Sequence, residues 1–186
     1  TLHAHGELVK THQVSYSVGC SGQYLLHVGL RQKEAALPGS PFKVDVKPGP
    51  AHAPSTQLPP ESLPLQSIVG QSGSFTVRLR DKSGNLCIEG GAPLRVTLNT
   101  PACVVNLVDN EDGSYLIKWQ GETAGTFKLS ITLNSAHIKG SPTPLTLSAA
   151  GPEMSRCELL GDGLRRAVAG KAASLTVRCR DAYGNE

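Results

Sequence analysis

A chain of 186 residues, 39% hydrophobic and 18% charged, carries enough apolar material for one large buried core or two ordinary ones. Its formal charge of +3 is small and dispersed, which argues against nucleic acid as a partner. No apolar run approaches the ~18 residues that a membrane span requires, and twenty glycines with thirteen prolines favour short strands and tight turns over a helical bundle.

In chain order, Thr1 to Lys10 carries two histidines and no apolar stretch, so it does not read as a signal peptide. His3, His5 and His12 lie close together. No Cys or carboxylate completes a metal spacing around them, and they read as a solvated strand and turn. Val14 and Tyr16 share one strand face, and Tyr24, Leu26, Val28 and Leu30 form an alternating inward row. Prolines 48, 50 and 54, followed by 59, 60 and 64, mark an extended connector with little hinge freedom.

Beyond it, Phe75, Val77 and Leu79 alternate with Thr76, Arg78 and Arg80. Two short strands are expected at Leu94–Leu98 and Cys103–Leu107, with Val96, Leu98, Val105 and Leu107 buried. Tyr115, Ile117 and Trp119 share a face, as do Phe127, Leu129, Ile131 and Leu133. Turns are expected at residues 83–85, 110–113 and 134–135. A shorter connector, residues 149–152, leads to a last strand whose inward set is Leu175, Val177 and Cys179.

The segments repeat. Residues 74–85 recur at 174–185, an offset of 100; Gly39-Ser40-Pro41 recurs as Gly140-Ser141-Pro142, an offset of 101; and residues 22–30 match 125–133, an offset of 103. Three independent pairs agreeing on one period place a complete unit at residues 49–151. Residues 1–48 then read as the C-terminal half of a preceding unit and residues 152–186 as the N-terminal half of a third. The expectation is a stretch of a larger array. About seven strands per unit of ~100 residues, apolar on one face only, predict an all-β immunoglobulin-like sandwich of two antiparallel sheets.

Catalytic and metal patterns do not emerge. Asp109, Asn110, Glu111 and Asp112 cluster oxygen ligands, but without the spacing of a calcium loop they read as a hairpin turn closed by Gly113. Gly161-Asp162-Gly163 lacks the strand-to-helix context of a dinucleotide loop. No nucleophile-base arrangement survives, so no enzyme activity and no cofactor are expected. Five cysteines (Cys20, Cys87, Cys103, Cys157, Cys179), an odd number without metal spacing, read as free thiols in a reducing compartment.

These motifs together resemble the filamin repeat. Asp81-Lys-Ser-Gly-Asn85 and Asp181-Ala-Tyr-Gly-Asn185 match its Asp-x-x-Gly-Asn, and Asp109-Asn-Glu-Asp-Gly-Ser-Tyr115 its turn-strand. Ala124-Gly-Thr-Phe127, His137-Ile-Lys-Gly-Ser-Pro142 and Gly39-Ser-Pro-Phe-Lys-Val44 match the remainder. One departure is Thr143 where the first unit has Phe42, which predicts a looser or irregular start to the last strand.

The resemblance implies tandem immunoglobulin-like repeats used for cytoskeletal scaffolding and partner docking. It also implies a peptide site at the edge of the third and fourth strands, where a ligand adds as an extra strand. Carried onto this sequence, the outward positions there are Arg95, Thr97, Asn99, Val104 and Asn106, a mostly polar set. The alternative to a groove is a solvated edge that Arg95 protects from stray pairing.

The expected function is therefore a non-enzymatic scaffold, actin-linked or ciliary, in the cytoplasm at the cytoskeleton. Its partners are proteins, held by strand addition or lateral contacts, with no membrane insertion. Similar repeats occur in gamete adhesion proteins and in ubiquitin ligases. An adhesion ectodomain and the substrate-binding module of a multidomain ligase are accordingly the alternatives, although three consecutive units argue against ligases that carry only one.

Overall fold

The computed structural model describes residues 13–30 and 35–186, and in it the alternation read from the sequence becomes strands except at Val14 and Tyr16, which lie in none. His3, His5 and His12 lie outside the described residues. The chain divides between Lys47 and Pro48 into two units. In the first, β1 (Gly22–Leu26) pairs antiparallel with β4 (Phe42–Val46), and β2 (Gly29–Leu30) with β3 (Ala35–Ala36).

The apolar residues of this unit are poorly covered: Val14, Tyr16, Tyr24, Leu25 and Phe42 are exposed, and Leu26 and Val28 of the inward row are only half-buried. Burial needs a facing layer, and among the described residues this unit has only these two short strand pairs.

The second unit contains a complete sandwich. Its strands are β5 (Leu65–Ile68), β6 (Gly73–Arg78), β7 (Leu94–Leu98), β8 (Cys103–Asp109), β9 (Ser114–Gly121), β10 (Gly125–Leu133), β11 (Ala136–His137) and β12 (Thr143–Ser148). In one sheet Leu129 of β10 pairs with Leu98 of β7 and with Thr143 of β12, so those strands flank it on opposite sides. The parallel strand β5 lies beyond β12, and β11 folds back on β10. The other sheet has the order β6-β9-β8.

Phe75, Val77, Leu79, Tyr115, Ile117 and Trp119 meet Leu65, Leu129, Ile131, Leu133, Leu145 and Leu147 between the two sheets, all of them buried. Each such aliphatic side chain contributes roughly 1.5–3 kcal/mol by leaving water. The Trp119 indole N–H donates to Ser67 Oγ at 3.0 Å, tying one sheet to the other, and its ring tilts against Phe75 with centroids 5.8 Å apart.

Thr143 corrects one expectation. It is buried, pairs with Leu129 and opens β12 in regular geometry, because the shorter side chain fits where β12 meets the core. The motif around it is held by a hydroxyl: the Ile131 N–H donates to Ser141 Oγ at 2.7 Å, as the Val28 N–H does to Ser40 Oγ at 2.9 Å in the first unit. The 110–113 turn also forms, with Gly113 at φ +79°, where a Cβ would collide with the Cys87 carbonyl.

The last part of this unit pairs β13 (Glu158–Leu160) with β14 (Thr176–Arg178). Leu175, Val177 and Cys179, expected inward, are exposed. The reason is the one that applies to the first unit, since among the described residues no second sheet lies over them.

The two Asp-x-x-Gly-Asn motifs are carboxylate traps for the connectors. Asp81 is buried; Gly49 N–H donates to its Oδ2 at 2.8 Å, Asn85 N–H to its Oδ1 at 2.9 Å and the Asn85 amide to its Oδ2 at 2.9 Å. At Asp181 the same bonds come from Ala150 N–H, Asn185 N–H and the Asn185 amide, with Tyr183 N–H added. The Asn85 side chain, then Gly49 N–H, holds the Asp81 carboxyl at a pKa of about 2. At Asp181 burial opposes ionisation, but the bonds from Asn185, Ala150 and Tyr183 outweigh it and also bring the pKa to about 2. Each repeat thus grips the segment that leads into it.

Candidate functional site

A sandwich has two margins, and here they differ. On the β5/β6 side the chain itself closes the gap. Ala51 bridges to Asp81, His52 N–H donates to the Arg80 carbonyl at 2.7 Å, and Arg80 N–H donates to Thr56 Oγ1 at 3.0 Å. The segment then crosses to the other sheet, where Leu58 N–H donates to the Lys139 carbonyl at 3.0 Å and Lys139 N–H to the Thr56 carbonyl at 2.8 Å. Ala53, Thr56 and Leu58 are buried along the crossing. The backbone just beyond β6, at Arg80 and Asp81, is paired, and the core behind it is covered.

On the other side β7 bonds only to β10 and β8 only to β9. The two run close together without a ladder between them, so each presents an unpaired backbone edge. The side chains between these edges are Val96 and Leu98 from β7 and Val105 and Leu107 from β8. All four pack on the core yet stay half-buried, where full burial was expected. Solvent reaches them because neither sheet continues past its margin.

The five residues singled out from the sequence occupy the outer faces. Arg95, Thr97, Val104 and Asn106 are exposed, Val104 by 62%. Asn99 is exposed as well, and it is engaged: its Oδ1 accepts the Lys128 N–H at 2.7 Å and its own N–H donates to the Lys128 carbonyl at 3.3 Å, which extends the β7–β10 ladder. The side chains between the two edges are the opposite set of alternating residues, and these are apolar. The signal was present in the period of two, but strand alternation says only which residues face inward, not which inward residues sit at an uncovered edge.

The acidic turn is structural. Asp109 Oδ2 accepts Gly91 N–H at 2.7 Å and Oδ1 accepts Glu111 N–H at 2.8 Å, while Asp112 Oδ1 takes both the Ser114 N–H and its hydroxyl. These bonds lower both carboxyl pKa values, through Gly91 N–H first at Asp109 and the Ser114 hydroxyl first at Asp112. Asp109 and one oxygen of Asp112 thereby brace the turn. His137 sits at a strand end against Ser141 Oγ, 3.1 Å away.

The Filamin/ABP280 repeat model matches residues 50–144, just over half of the chain. The chain belongs to the filamin-repeat family. Human tripartite motif-containing protein 2 is 40% identical over 83 residues, 43% of this chain and 11% of that protein. Rat filamin-C is 29% identical over 157 residues, 76% of this chain and 6% of that protein. The chain thus spans a small fraction of either relative. Among solved structures, the Escherichia coli adhesin FdeC aligns with a TM-score of 0.58 at 20% identity, over 81% of this chain and 48% of that one, a likeness of fold. A filamin-type repeat is a structural module for protein–protein contact.

Proposed function

We propose that this segment is a non-catalytic docking scaffold in which the central sandwich takes an extended protein segment at the β7/β8 margin. The observation that carries the reading is the meeting of two strand edges that share no ladder with four half-buried apolar side chains, on a side that no crossing segment covers among the described residues of the unit. An added strand would satisfy the backbone of β7, and its alternate side chains would cover Val96, Leu98, Val105 and Leu107. Main-chain bonds supply affinity in this mode, and the apolar wall selects a ligand with apolar residues at every second position.

In the wider protein the repeats would space such partners along an array in a cytoplasmic, cytoskeletal assembly, actin-linked or ciliary. Similarity to filamin-C beyond the length of one repeat supports that reading. The alternative, a substrate-binding module of a multidomain ubiquitin ligase, draws support from the tripartite motif-containing relative.

The test is selection of strand-forming peptides against the chain, followed by amide chemical-shift mapping. The reading expects the selected peptides to alternate apolar and polar residues and to perturb β7 and β8. Perturbation centred on β5 and β6, or peptides without alternation, would refute it. Co-sedimentation of the full-length protein with filamentous actin separates the scaffold reading from the ligase one.

A further inference from the structure

The sandwich end that carries Gly70 receives a second element of the chain. Gly70 N–H donates to the Gly121 carbonyl at 2.9 Å and the Gln120 side chain donates to the Gly70 carbonyl at 3.0 Å. This brings the turn before β6 against the end of β9 and the following turn, residues 122–124. Onto that surface folds the 181–185 loop of the next repeat. Asn185 Oδ1 accepts the Ala124 N–H at 2.8 Å, and its amide nitrogen donates to the Glu122 carbonyl at 2.9 Å. The Tyr183 ring lies over Gly70, where a Cβ would collide with its hydroxyl, and Gly70 stands at φ +80°, a conformation that favours glycine.

We propose that the 181–185 loop is a latch that docks the third repeat on the end of the central sandwich, so that these two repeats move as a coupled pair. Its receiving surface is Gly70 with the backbone of residues 122–124, and its partner is the Tyr-Gly-Asn tip of the following repeat. Three features of the molecule converge on it. Asn185 copies a backbone rung, with one acceptor and one donor matched to one donor and one acceptor. Asp181 holds both Asn185 and Ala150, so the loop tip and the connector leaving β12 are bound by one carboxylate. The connector of residues 149–152 is short, which makes docking intramolecular and lets a small contact suffice. The equivalent loop of the central repeat has Ser83 in place of Tyr183, so the aromatic contact is particular to this junction.

Amide hydrogen exchange in the full-length protein tests this at one atom. The Ala124 N–H is expected to exchange slowly. Tyr183→Ala and Asn185→Ala should each speed it about tenfold, the scale of one lost hydrogen bond. Tyr183→Phe keeps the ring and should leave it near the parent rate. Gly70→Ala should release the latch from the other side, and combined with Tyr183→Ala should add little. The Ile131 N–H, bonded to Ser141 within the same sandwich, reports whether the fold persists and should stay protected throughout. Unchanged Ala124 exchange in both alanine variants, or a rise at Ile131 that matches the rise at Ala124, would overturn the proposal.

Discussion

The two margins of the central sandwich are built from the same materials and end in opposite states. Just beyond β6 the crossing segment supplies Thr56 Oγ1 to Arg80 N–H and buries Ala53 and Leu58, so the core there is covered. Along β7 and β8 nothing among the described residues of the unit crosses, and Val96, Leu98, Val105 and Leu107 remain half-buried. The difference teaches that the open side is not a defect of strand quality. It follows from connection: the first strand of the repeat switches sheets on one margin only. A sandwich with one sealed and one open margin can add a strand without rebuilding its core.

The largest effect should come from the sealed side of the core. Leu65→Ala is expected to cost about 2–5 kcal/mol in denaturant unfolding, and Leu98→Ala distinctly less, since a half-buried side chain loses less on truncation. Equal losses would erase the distinction between the margins.

Next, Thr56→Val removes the acceptor of the Arg80 N–H and leaves that group unpartnered, for an expected loss of about 1–3 kcal/mol. A neutral result would mean that Thr56 is not what pins the crossing segment beside Arg80.

The carboxylate traps add a pH dependence. Both Asp81 and Asp181 are held at a pKa of about 2, below the unfolded value near 3.8. Their contribution is therefore complete above about pH 4 and lost as pH falls through about 2. The Asp81→Asn, Asp181→Asn double variant should be less stable at pH 7 and should show a flatter stability profile between pH 4 and 2.

The smallest effects are on ligand binding. Val105→Lys, which sets a charge in the apolar wall, should weaken a margin-binding peptide at least tenfold, about 1.4 kcal/mol. Arg95→Ala on the outer face should change its affinity by less than about 0.5 kcal/mol. Titration of the two variants with one peptide tells cleft from outer face, and the reverse ranking would place the contact on the outer set.

Much of this was legible before the fold. Phe75, Val77 and Leu79 opposite Tyr115, Ile117 and Trp119 follow from the period of two, and the ~100-residue repeat follows from motifs spaced alike. The Gly-Ser-Pro motif was legible as a marker, but its work as a hydroxyl bonded to the strand before it was not, because Ser141 and Ile131 meet only once β10 and β12 pair. Alternation puts Arg95, Thr97, Val104 and Asn106 on the outer face, but inward positions all look alike until it is known which strand lies at an edge. Leu175 and Val177 were read as inward from alternation, yet burial requires a facing layer that alternation cannot supply.

Local chemistry, then, determined the strands, the turns, the repeat and its family. Side-chain alternation and turn residues act over a few neighbours and can be read from order alone. Tertiary structure decided which margin is open, that Asp81 and Asp181 hold connectors some thirty residues away, and that Tyr183 rests on Gly70. Each of these depends on groups far apart in the chain meeting with fixed donors and acceptors, and only the folded backbone sets those meetings.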